Sequence, residues 1–123
     1  MSTRSTIAYF DDDTNTIKGV YCHFDGYVDG GVGETLVTHY QELEQVKKLV
    51  ELGNLSSLGE DLETTIAYHR DRNEDFSFFQ VDDYDDIPTE NYNYLFIFDD
   101  DDGKHKWVYE GGDVESKLLN KEI

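Results

Sequence analysis

Two runs of β-forming residues, each turned back on itself by a cluster of aspartates, constrain this chain more than any other feature. Ser5 to Phe10 leads through Asp11-Asp12-Asp13-Thr14-Asn15 into Ile17 to Phe24. Asn93 to Phe98 leads through Asp99-Asp100-Asp101-Asp102-Gly103 into Lys106 to Glu110. Short Asp and Asn side chains bond to their own backbone and favour turns, so both stretches predict hairpins. Period-two alternation assigns the faces. Ile7 and Tyr9 fall on one side of the first strand, and Ala8 and Phe10 on the other. Val20, Cys22 and Phe24 oppose Tyr21 and His23 on the second.

One long amphipathic segment separates these hairpins. Leu36, Tyr40, Leu43 and Val50 recur at spacings of four, three and seven, widened by Val37, Val46 and Leu49. That stripe predicts a helix over about 34–52, with Glu34 at its positive end, Lys47 and Lys48 in its later turns and Gly53 as its stop. Thr64 to His69 and Phe76 to Val81 read as further strands. Residues 55–60 read as a loop, and 82–91, with the single proline, as a loop or one helical turn. Asp113 reads as the N-cap of a short C-terminal helix carrying Val114, Leu118 and Leu119. The whole, residues 1–123, predicts a single acidic α+β domain: an antiparallel sheet of about four to six strands, the 34–52 helix packed on one face, and the C-terminal helix.

Charge narrows the function. Lys and Arg total 10 against 28 Asp and Glu, a net charge of −18. Such a chain repels nucleic-acid phosphate and anionic lipid, so neither nucleic acid nor a membrane surface is an expected direct partner. Aromatics at 14% separate it from disordered acidic tails. The lone Cys22 forms no internal disulfide, and no apolar run approaches the roughly 20 residues of a membrane span. A protein retained in the cytoplasm is expected.

Several separated segments carry a resemblance. Thr3-Arg4-Ser5-Thr6-Ile7-Ala8, Val20-Tyr21-Cys22-His23-Phe24-Asp25-Gly26-Tyr27, Gly31-Val32-Gly33-Glu34-Thr35-Leu36 and His39-Tyr40 resemble, in order, a family of small uncharacterised proteins of tailed bacteriophages and prophages. Leu52 to Gly59 and Thr65 to Arg72 resemble the same family. The resemblance implies expression in the cytoplasm of an infected bacterium. It supplies no mechanism, and residues 76–102 carry little of it.

The acids themselves are the candidate site. Between Asp71 and Asp102 stand twelve acids and the single base Arg72. A compact chain of this length is roughly 35 Å across. B-DNA of that length carries about 20 charges, comparable to −18, so mimicry of nucleic-acid charge is feasible. Asp82, Asp83, Asp85, Asp86, Asp99, Asp100, Asp101 and Asp102, aided by Tyr84, are the expected contacts for a host protein with a basic nucleic-acid-binding surface. Binding of that kind inhibits the partner, in the manner of anti-restriction or anti-CRISPR proteins, and is steered and salt-sensitive. The competing reading gives the aspartates only turn-forming and solubilising roles, or an adaptation to high salt. The chain then acts as an accessory interaction domain through an apolar or Tyr-rich face (Tyr84, Tyr92, Tyr94), or as a homo-oligomer. A third reading is a small enzyme using Cys22 with His39 or His69.

Cofactor and metal sites are not expected. Taking Gly103 as position six of a calcium loop puts Phe98 at position one and Tyr109 at position twelve, which fails the pattern. Cys22, His23, His39 and His69 lack zinc-ligand spacing. The glycine-rich 26–33 loop enters a helix but has no Lys, and Asp25, Asp29 and Glu34 oppose phosphate.

Overall fold

The computed structural model describes residues 3–101, 103–111 and 114–118. Eight strands form one mixed sheet: β1 (Ser5–Asp11), β2 (Thr16–Cys22), β3 (Leu55–Ser57), β4 (Ile66–Ala67), β5 (Phe79–Val81), β6 (Tyr92–Asp99), β7 (Lys104–Gly111) and β8 (Val114–Leu118). Three short helices accompany them: α1 (Val32–His39), α2 (Leu43–Val50) and α3 (Tyr68–Arg72). The sheet order is β4-β3-β2-β1-β6-β7-β8, and β5 also pairs with β2.

β1 sits at the centre because its residues suit burial on both faces. Ile7, Ala8 and Tyr9 are all buried, as are Ser5 and Thr6. It pairs antiparallel with β2, from Ser5 opposite Cys22 to Asp11 opposite Thr16. On its other side it pairs parallel with β6, from Ser5 opposite Tyr92 to Tyr9 opposite Phe96. The two predicted hairpins therefore lie side by side. β6 and β7 form the second one, with Phe96 opposite Trp107 and Asp99 opposite Lys104.

The faces are divided as alternation predicts. Ile7, Tyr9, Val20 and Cys22 join Tyr94, Phe96, Trp107 and Tyr109 beneath the helices, which contribute Val32, Leu36, Val37, Val46, Leu49 and Val50. Ala8, Ile17 and Leu95 face the other way, covered by Phe79, Val81, Tyr84 and Ile87. Gly19 is what lets β5 lie against β2. A Cβ there would stand 2.8 Å from the Ile7 carbonyl oxygen and would overlap the Phe79 ring.

The expected antiparallel α+β arrangement is corrected on several counts. The sheet is mixed, because β1 pairs parallel with β6 and β2 with β3. It has eight strands, since residues 55–57, expected as loop, form β3 beside β2. The predicted strand over 64–69 shrinks to Ile66–Ala67, and the chain then turns into α3. The expected C-terminal helix is strand β8 over 114–118, drawn out by pairing with β7 at Val108–Leu118 and Gly111–Val114. Asp113 and Leu119 lie outside the described residues.

The single long helix is in fact two. Residues 40–42 break it, and the cause is tertiary. The Trp107 indole donates from Nε1 to the Tyr40 carbonyl oxygen at 2.9 Å. The Tyr40 hydroxyl donates to the Gly59 carbonyl at 2.9 Å. Both ends of Tyr40 are thus tied to other elements, and its backbone takes φ −126°, ψ 65°. Glu42 restarts the helix through a capping box with Gln45. Gly53, at φ +83°, closes α2 as the sequence suggests.

Trp107→Phe removes the donor to the Tyr40 carbonyl and leaves space in the core. It should cost about 2–3 kcal/mol in urea unfolding followed by far-UV circular dichroism. A loss below about 0.5 kcal/mol would contradict the role given to this bond.

Candidate functional site

Strand direction gathers the acidic turns. Because β1 and β6 run parallel in register, the turn after Asp11 and the turn after Asp99 emerge at the same end of the sheet. β5 runs antiparallel to β2 and brings Val81 opposite Ile17, one residue from the start of β2. Gln80 Nε2 donates to Thr16 Oγ1 at 3.0 Å there. Asp82 and Asp83 follow directly and so leave the sheet at that same end. Four inter-strand steps from β5 to β7, each about 4.8 Å, make this acidic end roughly 19 Å wide.

A common device builds the three turns. One aspartate of each turns its carboxylate back onto the backbone two residues on. Asp11 Oδ1 accepts from the Asp13 N–H at 3.0 Å, Asp83 Oδ1 from Asp85 at 3.2 Å and Asp99 Oδ1 from Asp101 at 2.9 Å. Two of these aspartates are also neutralised inside the sheet. Lys18 Nζ lies 2.8 Å from Asp11 Oδ2, and Lys106 Nζ lies 3.2 Å from Asp99 Oδ2. The Lys18 contact holds the Asp11 carboxyl below its ordinary range. The outward acids differ. Asp12, Asp13, Asp82, Asp100 and Asp101 are exposed and form no ion pair among the described residues. One strand of B-DNA carries a charge every ~3.4 Å, or about six over this width.

The remaining predicted contacts are placed elsewhere. Asp83 caps a 3-10 turn, Tyr84–Asp86, that carries the chain over the second face of the sheet. Tyr84 is half-buried, packed toward Ala8, Ile17 and Leu95, and burial raises its hydroxyl above the ordinary value. Asp85 borders a small hollow with Asn93 and Glu110. Asp86 is exposed beside it. Asp102 lies outside the described residues. Of the tyrosines expected to form a face, Tyr94 is only 1% exposed and donates to the Gly26 carbonyl at 2.7 Å.

Sequence reasoning missed a cleft of about 890 Å³ between the α1–α2 break and the β6–β7 hairpin, lined in part by Thr38, Gln41, Leu43, His105 and Trp107. Its mouth reaches Gly103, so it opens beside the Asp99 turn. The clustered aromatics of Phe96, Phe98, His105 and Trp107 were the available signal. The helix break that opens the cleft is set by a contact across 67 residues, which periodicity does not register.

Cys22 is buried at 0% exposure, and burial pushes its thiol up to about 12. Its sulfur lies 3.8 Å from the Phe24 carbonyl. His39 Nε2 is 3.8 Å from Glu60, and His69 Nδ1 is 2.8 Å from the Glu74 carbonyl. The structure thus seats the suggested nucleophile in the core and engages both suggested bases elsewhere. Glu34 Oε1 accepts from the Gly30 N–H at 3.0 Å, so a carboxylate of the chain itself occupies the loop before α1. Among the described residues no group of His, Cys, Asp and Glu is arranged to hold a metal, and no helix is long and apolar enough to cross a membrane. Comparison with protein-family models, with curated proteins and with solved structures finds no match.

A thiol raised on folding stabilises the protein below its unfolded pKa of ~8.5, and that stability is lost as pH rises toward the folded value. The thiol's contribution to stability should therefore fall by about 1.2 kcal/mol between pH 9 and 10. Cys22→Ala should lower the overall slope by about that amount in urea melts at those pH values, the remainder coming from the buried hydroxyls of Tyr9, Tyr40, Tyr84 and Tyr94, which burial also raises. Identical slopes in the two proteins would contradict the buried, protonated thiol.

Proposed function

We propose that this chain is a phage-encoded, non-enzymatic binding protein of the host bacterial cytoplasm. Its acidic end engages the basic nucleic-acid-binding surface of a host protein and blocks it. The observation that carries this reading is the convergence of three aspartate turns at one end of the sheet, with the outward carboxylates of Asp12, Asp13, Asp82, Asp100 and Asp101 in no ion pair among the described residues. Opposed charge concentrated on one end steers encounter and competes with nucleic acid for the same Arg and Lys side chains. The phage origin rests on the sequence resemblance alone.

A second reading has its own observation. Phe76 and Phe78 are 47% and 45% exposed, with ring centroids 5.7 Å apart, and His69 meets Phe76 edge-on at 5.5 Å. A patch of this kind suits an accessory interaction domain or a homo-oligomer acting through an apolar face.

The two readings differ in salt response. The immobilised protein is exposed to the heparin-binding fraction of a bacterial lysate. On the mimicry reading, captured protein is released by duplex DNA and by raising salt from 50 to 500 mM. The variant with Asn at positions 12, 13, 82, 83, 100 and 101 should capture at least about tenfold less while keeping the wild-type near-UV spectrum. Capture that survives both the six substitutions and high salt would overturn mimicry and favour the apolar face.

A further inference from the structure

We infer that a hollow on the second face of the sheet binds a primary ammonium standing next to a carbonyl, the group shared by α-amino amides and free peptide N-termini. The hollow holds about 220 Å³ and is lined by Tyr84, Asp85, Ile87, Thr89, Asn93 and Glu110. It is separate from the acidic end. Asn93 is the second residue of β6 and Asp99 the last, about 20 Å apart along the strand.

Strand pairing supplies the donor. Asn93 stands opposite Glu110, so their side chains rise on the same face. Asn93 is only 9% exposed, and its Oδ1 accepts from the Thr6 hydroxyl at 2.7 Å. Thr6 belongs to β1, across β6 from Glu110. Oδ1 therefore turns toward β1 and leaves Nδ2 on the side of the hollow. That Nδ2 has no partner among the described residues. A nearly buried donor without an acceptor is costly, and a ligand oxygen at that point relieves it.

The rest of the lining selects charge. Asp85 and Glu110 form no ion pair among the described residues, and the described lining holds no Lys, Arg or His. Burial raises the Tyr84 hydroxyl above its ordinary value, and the charges of Glu110 and Asp85 beside it raise it further. Two carboxylates around one hollow attract a cation, and the Asn93 donor requires that this cation also carry an acceptor. An ammonium has three protons to share between the carboxylates, while its neighbouring carbonyl accepts from Nδ2. Ile87 offers an apolar wall to a short side chain. The volume is about seven times a water's ~30 Å³ share, room for one residue. A free amino acid fits less well, because its own carboxylate would face Asp85 and Glu110.

The test titrates the whole chain with alaninamide, propylamine, N-acetylalaninamide and alanine at fixed ionic strength. The pH is about 6.5, where an α-amino group is charged. Backbone and side-chain amide shifts are followed by NMR. Alaninamide should bind at least about fivefold tighter than propylamine, which lacks the carbonyl. Its shifts should centre on the Asn93 side-chain amide, Thr89 and Glu110. N-Acetylalaninamide, without the cation, and alanine, with an added carboxylate, should give no saturable shifts. Asp85→Asn combined with Glu110→Gln should weaken alaninamide at least about tenfold while the β6 amides keep their folded dispersion. Trialanine amide separates the two sources: affinity equal to that of alaninamide marks a peptide N-terminus, and binding of alaninamide alone marks a small amine. Equal affinity for alaninamide and propylamine, undiminished binding by the double variant, or shifts confined to the aspartate turns would each overturn the site.

Discussion

Parallel pairing of β1 with β6 is the constraint on which the arrangement depends. Each hairpin is locally determined by its own turn, but neither dictates where the other points. With Ser5 opposite Tyr92 and Tyr9 opposite Phe96, both aspartate turns face one way. An antiparallel pairing of the same strands would send them to opposite ends, separated by a strand length of roughly 23 Å. Like charges then collect where Coulomb repulsion disfavours them. Burial of β1 between the two hydrophobic clusters holds the register against that repulsion, and Lys18 and Lys106 neutralise the innermost acid of each turn.

The same hairpin links the acidic end to the helical layer. Trp107, on the strand returning from the Asp99 turn, reaches up to the Tyr40 carbonyl. That bond does two things at once. It satisfies a buried donor and acceptor, and it divides the helical segment so that a cleft opens over Phe96 and His105. A continuous helix would have no free carbonyl at Tyr40 in its interior. Turn, cleft and core are therefore coupled through one strand.

Much of the local structure was legible in the residues. Alternation in β1 separated Ile7 and Tyr9 from Ala8 and Phe10 correctly, because a strand buried on both faces still sends successive side chains to opposite sides. The aspartate turns announced both hairpins. Legibility failed where distant residues decided. The Leu36, Tyr40, Leu43 and Val50 stripe keeps its period across a break imposed by Trp107. Val114 and Leu118 stand four apart, a helical spacing, yet β7 offers an open edge that draws them into a strand. Leu55-Ser56-Ser57 has no strand signature and is recruited by its neighbours on both sides, beside Cys22 of β2 and opposite Ile66 and Ala67 of β4. Among the site residues, composition marks the aspartates, but Tyr84 belongs with Val81 and Ile87, spaced three residues to either side, rather than with the acids around it. That spacing turns Tyr84 toward the second cluster.

The convergence of the turns is most directly measured by placing a nitroxide at Asn15→Cys in a Cys22→Ala background and recording relaxation enhancement of backbone amides. The account predicts strong broadening at Asp100, Asp101 and Gly103 in the facing turn, with Tyr92 and Gly111 at the far end of the same strands spared. Broadening at Tyr92 and Gly111 instead, with the Asp99 turn untouched, would contradict it.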